Sequence, residues 1–381
     1  MEFTLAVVGG FRDEIRQKVL GFDPEVSILP AYDPDSQHND EFIDPEPALM
    51  SLINAELPQS KAALALRRPV VLKTDSNFEA LYVTAFDPEA HDYSFEKSCV
   101  IAGTWPDFSV DSTRNQIVIS QVTASALGLR PGDRPMLYFV NDGAQIRARR
   151  VSIAAVFSSH MDERDRTTAY ASMPMLQSVS GIGHTSGSVI ELRGIGADSA
   201  AAVGERLQAS IVRAWQEGGV QHLYPVDNVQ RSGAIYLNWL DLLDTNVVVI
   251  FILMSLVAAS TLIAGLFILV LDHIPTIGVL RSLGATRRTV RSIFILMALR
   301  LVGKGLIFGN ILGLGLLLLQ KYFWLVPLNP EMYYLDHVPV SLDWWSMLLL
   351  NVCVVLVSWL VLVLPSRIAA GVDPARTMRY E

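Results

Sequence analysis

The stretch NVVVIFILMSLVAASTLIAGLFILVL, Asn246–Leu271, contains no charged residue. A run of about 20 apolar residues is enough to cross the hydrocarbon core of a bilayer at 1.5 Å per residue. Backbone groups in lipid must be satisfied within the segment, so such a run is a helix. Two more runs pass the same length test, Ile293–Leu319 and Trp345–Leu364. Outside them the chain reads differently. From Met1 to Leu240 charges are frequent and the pattern is that of a globular domain. The 381 residues are 51% hydrophobic and only 18% charged, against about 25% charged in an ordinary soluble domain. The mean hydropathy is +0.35, so two architectures are joined in one chain.

The loops give an orientation. Arg281, Arg287, Arg288 and Arg291 lie between the first two runs, and Arg367, Arg376 and Arg379 follow the last. The intervening loop carries Glu331, Asp336 and Asp343, with Lys321 at its edge. The excess of arginine places the first loop and the C-terminus in the cytoplasm. Tyr322, Phe323, Trp324, Trp344 and Trp345 then form an aromatic belt on the outer side, and everything before Asn246 lies outside. The fold class expected is an α-helical transmembrane bundle plus a mixed α/β extracytoplasmic domain.

The N-terminal MEFTLAVVGG (Met1–Gly10) is apolar but short, with no basic leader region and no small-residue cleavage site. It reads as the end of a membrane helix whose beginning is missing, or as a short strand or helix. The formal charge of −8 argues against nucleic acid as a partner. Cys99 lies in the globular part and Cys353 in an apolar run, with no CxxC spacing; no metal site is expected from them.

Within the globular part, Glu25–Leu29, Pro69–Leu72, Ala80–Ala85, Gln116–Ile119, Pro135–Val140, Val151–Phe157 and Ser188–Leu192 are β-rich. Ala48–Leu57 and Asp198–Glu217 have helical spacing. GLRPGD (Gly128–Asp133) reads as a turn between a short helix and a strand. SHMDERDR (Ser159–Arg166) gathers His160, Asp162, Glu163 and Asp165. A metal site is conceivable there, but such a charged run is ordinarily a solvated loop, and the loop is the expectation. No catalytic constellation stands out. Asn228–Asp244, with Tyr236, Trp239, Leu240 and Leu243 at helical spacing, reads as a stalk continuing the first membrane helix outward, or as an interfacial anchor.

The loop HIPTIGVLRSLGATRRTVRSIF (His273–Phe294) is the candidate functional element. Pro275 suits a helix start. Ile277, Val279, Leu280 and Leu283 form a short apolar ridge, and Gly284 with Ala285 breaks the chain before a second helix near Thr286. Such a helix can dock in a groove of a cytoplasmic protein or lie in the lipid interface. Further along, Arg300 and Lys304 stand i,i+4 on one helix face, about 10 and 16 Å deep counting from Ile293. Cations at that depth face protein, water or a snorkelling route; a partner contact and simple snorkelling both fit. Gly305, Gly309 and Gly313 form overlapping GxxxG units that allow close helix approach, to a partner or within the chain.

Ile277–Phe294 resembles the cytoplasmic coupling loop of FtsX-like ABC permeases. Pro365–Glu381 (PSRIAAGVDPARTMRYE) resembles their C-terminal tail, with Met378 where leucine is commoner. DLLDTNV (Asp241–Val247), Leu301–Phe323 and NPEMYYLDHVPV (Asn329–Val340) look like the Bacteroidota-like variant of the lipoprotein-releasing, LolC/LolE-type family. VGGFRDEIRQKVLGFDPEVSI (Val8–Ile28) resembles that family's junction between first helix and periplasmic domain. Family members carry a complete first helix before this junction; most of it is absent here, through a late start or a truncation. The resemblance implies a MacB-like periplasmic core domain in a multi-pass protein of the bacterial inner membrane. The implied layout is 1–20 helix remnant and junction, 21–227 periplasmic domain, 228–245 stalk, 246–271 helix, 272–292 coupling loop, 293–319 helix, 320–344 periplasmic loop, 345–364 helix and 365–381 tail.

The implied partners are a cytoplasmic, LolD-like ABC ATPase, a second permease subunit, a lipoprotein substrate and a periplasmic carrier. Ile277, Gly278, Leu280, Arg281, Leu283, Gly284 and Ala285 are the implied contact with the ATPase. The chain itself has no Walker A motif: Gly303–Gly305 (GKG) lacks the preceding glycine spacing and the following Ser/Thr. It is expected to be non-catalytic and without a cofactor, ATP being bound by the partner. The alternatives are a MacB-like efflux permease, which ordinarily carries its ATPase in the same chain, and an FtsX-like regulator of a cell-wall hydrolase. The latter has an extracytoplasmic domain much smaller than the roughly 200 residues here.

Overall fold

The computed structural model describes residues 1–33, 38–39, 42–140, 146–232, 234–329 and 333–369. Glu331, Arg376, Arg379 and the tail from residue 370 lie outside the described residues, as do the side chains of Tyr236, Trp239, Leu243, Arg287 and Arg367. The chain divides into two compact units. The first is Met1–Asp13, Trp239–Leu328 and His337–Glu381; the second is Glu14–Asn238 with Asn329–Asp336. The N-terminal segment is helical, α1 (Glu2–Phe22).

The globular unit holds, in order, β1 (Val26–Ile28), the ribbon β2–β3 (Tyr32–Asp33, His38–Asn39), α2 (Pro47–Glu56), β4 (Lys61–Lys73), β5 (Phe78–Phe86), α3 (Ser94–Ser98), β6 (Val100–Gly103), β7 (Gln116–Ser120), α4 (Gln121–Leu127), β8 (Met136–Val140) and β9 (Ile146–Arg150). Then come β10 (Ser152–Phe157), α5 (Asp162–Thr167), β11 (Thr168–Ala171), α6 (Met173–Ser180), β12 (Val189–Arg193), α7 (Ala197–Gln216), β13 (Val226–Asn228) and α8 (Val229–Ser232). One mixed sheet runs β13-β1-β12-β4-β5-β11-β7-β10-β6, with the hairpin β8–β9 branching from β4. Pairs β7/β10 and β5/β11 are parallel.

β4 is the spine of this sheet. On one edge its first half pairs with β12 up to Ala65, and its second half with β8 from Val70. Pro69 falls in the gap. The Arg67 N–H points to that edge, where it donates to Ser188 Oγ at 2.8 Å. Position 69 faces the same way, because alternate residues of a strand present their N–H to one side. The missing proline N–H therefore costs no ladder bond. One face of the sheet packs Leu72, Val83, Ile119 and Leu137 with Leu127 of α4 and Leu176 of α6. The other is aromatic, with Phe86, Tyr93, Phe157 and Tyr170. Helix α4 starts where Ser120 Oγ accepts the Thr123 N–H at 3.1 Å and ends at Gly128 with φ +66, a left-handed cap that glycine adopts freely. GLRPGD is indeed the turn into β8.

In the apolar unit, α9 (Ala234–Asp272), α11 (Arg287–Phe323) and α12 (Trp344–Ala369) contain segments long and apolar enough to cross a membrane, Thr245–Asp272, Arg288–Phe323 and Trp344–Leu362. The short α10 (Ile274–Ser282) links the first two. Helices α11 and α12 pack on one another. Residues Met1–Asp13 belong to this unit: Ala6 is buried with Leu317 and Met347, and its carbonyl accepts the Ser341 N–H at 3.0 Å. Gly10 is required there, because a Cβ would stand 2.8 Å from the Pro339 backbone.

Candidate functional site

The coupling candidates sit on α10 and the turn after it. Asp272 ends the long helix α9, and His273, at φ −109, breaks the helical path while its Nδ1 lies 2.9 Å from the Leu269 carbonyl. Pro275 then occupies the first turn of α10, where its missing N–H has no partner to lose. The far end is closed by a Schellman arrangement. The Ala285 N–H donates to the Leu280 carbonyl at 3.0 Å and the Gly284 N–H to the Arg281 carbonyl at 3.1 Å. Gly284 takes φ +93, which a side chain resists. Thr286 immediately caps α11 by accepting the Thr289 N–H at 3.3 Å. Two helices thus meet across a Gly-Ala link with little slack.

The structure separates the seven sequence-predicted residues into two groups. Ile277 is 3% exposed and packs with Leu266 and Val270 of α9, Val290, Phe294 and Ala298 of α11, and Leu362 of α12. Gly278 is buried beside it. Leu283 is 80% exposed, and Gly284 is exposed too. Leu280, Arg281 and Ala285 are half-buried. Val279, part of the ridge but outside the seven, is 59% exposed. One face of α10 is therefore a plug in the three-helix junction, and the opposite face offers Val279 and Leu283.

On α11, Arg300 and Lys304 are exposed, and no hydrogen bond or ion pair reaches either among the described residues. At Gly305 and Gly309 an added Cβ would meet nothing within 4 Å, and at Gly313 it would meet Glu2 Oε2 at 2.9 Å. The glycines line a groove of about 370 Å³. Its polar wall was not singled out from the sequence: Asn310 Nδ2 donates to Asn351 Oδ1 at 2.9 Å, and Asn351 Nδ2 to Glu2 Oε1 at 3.1 Å. The available signal was an asparagine in each of two apolar runs.

The charged run Ser159–Arg166 is not the expected solvated loop. Its second part, from Asp162, forms the short helix α5 (Asp162–Thr167), with Asp162, Glu163 and Arg166 exposed and Asp165 buried. The Asp165 carboxylate accepts the Ser159 N–H at 2.9 Å and the Ser159 hydroxyl at 2.5 Å. Burial pushes this carboxyl above the usual value, and the Ser159 hydrogen bonds oppose the shift. Among the described residues no group of three or more His, Cys, Asp or Glu is arranged to hold a metal ion.

Residues 248–374 match the family of the FtsX-like permease C-terminal domain. The lipoprotein-releasing system transmembrane protein LolC of Xylella fastidiosa is 23% identical over 396 aligned residues, covering 99% of this chain and 90% of that protein. LolE of Haemophilus influenzae is 27% identical over 166 residues, covering 42% of this chain and 40% of that protein. Among solved structures, the periplasmic region of MacB from Actinobacillus actinomycetemcomitans aligns at TM-score 0.36 and 12% identity, over 59% of this chain and 98% of that one. The match in residues 248–374 takes in α10, most of α9, and helices α11 and α12. Residues 248–374, most of the apolar unit, are similar to the FtsX-like permease C-terminal domain, and the whole chain is similar to LolC/LolE-type lipoprotein-releasing permeases.

Proposed function

We propose that the chain is the permease subunit of an ABC-type complex that extracts lipoproteins from the bacterial inner membrane. The observation that carries this reading is the reach of the similarity to LolC, which extends through the globular unit as well as the permease domain. In this reading a separate cytoplasmic ATPase, with its own ATP, closes against the exposed Val279–Leu283 face of α10. The buried face, centred on Ile277, transmits the push into α9, α11 and α12 together, because Ile277 lies in one apolar cluster with residues of all three. Close-packed junctions pass on strain rather than absorb it. Helix α9 extends upstream to Ala234, and the globular unit, on the outer side, uses the movement to hand a lipidated protein to a periplasmic carrier. The arginines at 281, 288 and 291 keep α10 on the cytoplasmic side, as does the arginine-rich tail. A second permease subunit completes the complex, with the glycine groove of α11 as its contact.

Depletion of the chain in its native host tests this reading. Lipidated proteins destined for the outer membrane then accumulate in the inner membrane. If they sort normally while the export of small molecules or cell-wall cleavage fails, the chain is an efflux permease or a hydrolase regulator instead.

A further inference from the structure

The connection between α11 and α12 does more than join them. Asn329–Asp336 clusters with the globular unit, although the helices on either side of it belong to the apolar one. Within the globular unit it is held at two polar points, on either side of a buried leucine. Lys18 Nζ donates to the Tyr334 carbonyl at 2.7 Å and to the Ser159 carbonyl at 3.4 Å. Leu335 is 5% exposed. Asp336 Oδ1 lies 3.5 Å from His160 Nε2. The platform beneath is stiff, since Ser159 is clamped by the buried carboxylate of Asp165 and its hydroxyl also accepts the Met161 N–H at 3.1 Å. Both sides of the junction take left-handed backbone, His160 at φ +60 and Tyr334 at φ +61. Residues with a Cβ hold that conformation only where their surroundings enforce it. A lysine that spends its ammonium on two carbonyls loses hydration, so the arrangement persists only because the segment is seated on it.

We propose that Tyr333–Asp336, in the connection between the two helices, is a tie through which α11 and α12 pull directly on the globular unit, with Lys18 as its fastening and positioning residue. The proposal rests on the permease reading above, and adds a second route of transmission beside α9. A tie fixed to the same unit that α9 enters converts a difference in movement between the helices into a deformation of that unit.

The test uses the full complex in lipid nanodiscs, with hydrogen exchange read across the globular unit. Loss of a hydrogen bond from a charged donor changes a local opening equilibrium by about tenfold or more. In Lys18→Met, peptides covering 333–336 exchange about tenfold faster while the sheet strands keep wild-type rates, and lipoprotein released per ATP hydrolysed falls several-fold. Lys18→Arg, which keeps the donors, restores both. Unchanged exchange at 333–336 overturns the fastening, and faster exchange with unchanged release per ATP overturns the transmission. If the wild-type complex hydrolyses ATP without releasing lipoprotein, the proposed substrate is wrong. The tie is then judged by whether ATP alters exchange in the globular unit of the wild type and fails to do so in Lys18→Met; an equal ATP response in both overturns it.

Discussion

Ile277 and Leu283 stand six positions apart and have opposite tasks. Ile277 fills the junction of three helices, so Ile277→Ala leaves a cavity and costs about 2–5 kcal/mol. Thermal unfolding of the purified protein in detergent reads this as a lowered midpoint. Leu283 touches solvent or a partner, and Leu283→Ser shifts stability by less than about 0.5 kcal/mol while the ATPase partner loses stimulation. Equal destabilisation by both changes contradicts the two-faced helix. From sequence these residues look alike, because four apolar side chains in a helix this short fix no face; the three-helix junction does. Glu46 shows the same dependence on tertiary partners. Burial alone raises its pKa, but the Gln221 N–H, His222 and the Tyr224 hydroxyl, all hydrogen-bonded to the carboxylate, overcome this and hold it below the usual value. A depressed folded pKa adds stability above the unfolded glutamate value, about 4.3, and that stability is lost as pH falls through the folded value. The melting midpoint of wild type therefore falls more steeply below pH ~4.3 than that of Glu46→Gln. Parallel acid profiles contradict the assignment.

At the scale of elements, long signals were legible and balanced ones were not. The apolar runs of α9, α11 and α12 announce themselves by length, and α7 by its buried Ala200, Val203, Leu207 and Ile211. β4 was visible only as Pro69–Leu72, because Arg67 and Arg68 interrupt its pattern. In the folded sheet Arg67 reaches the fully buried Glu191 at 2.6 Å, and the Arg68 guanidinium lies 5.1 Å from the Phe42 ring centre. Those compensations come from strand β12 and a distant loop, and one-dimensional spacing carries no sign of them. α5 was missed for a related reason, its charged run being anchored by one serine before it. The glycine face of α11 was legible as a pattern, and the structure adds that Gly305 and Gly309 face open space. Gly309→Leu therefore leaves the yield and melting midpoint of the isolated chain unchanged. It lowers recovery of the second permease subunit in co-purification by about fivefold, as blocked small-residue packing does. Full recovery of that subunit means the groove faces lipid.

The whole molecule joins a mixed sheet domain to helices of membrane-spanning length, and the two were unequally readable. Strands far apart in sequence meet in the sheet: β1 lies between β12 and β13, and β5 runs parallel to β11. Alternation locates such strands but does not say which will pair. The bundle needs only length, arginine placement and the short break at α10. The proposed mechanism rests on that break being pressed from the cytoplasm, and a photo-crosslinking amino acid at position 283 in native membranes tests this most directly. The account predicts a covalent adduct with a nucleotide-binding ATPase on the cytoplasmic face, formed in intact cells and lost when that ATPase is deleted. An adduct with lipid or with a periplasmic protein, and none with an ATPase, contradicts it.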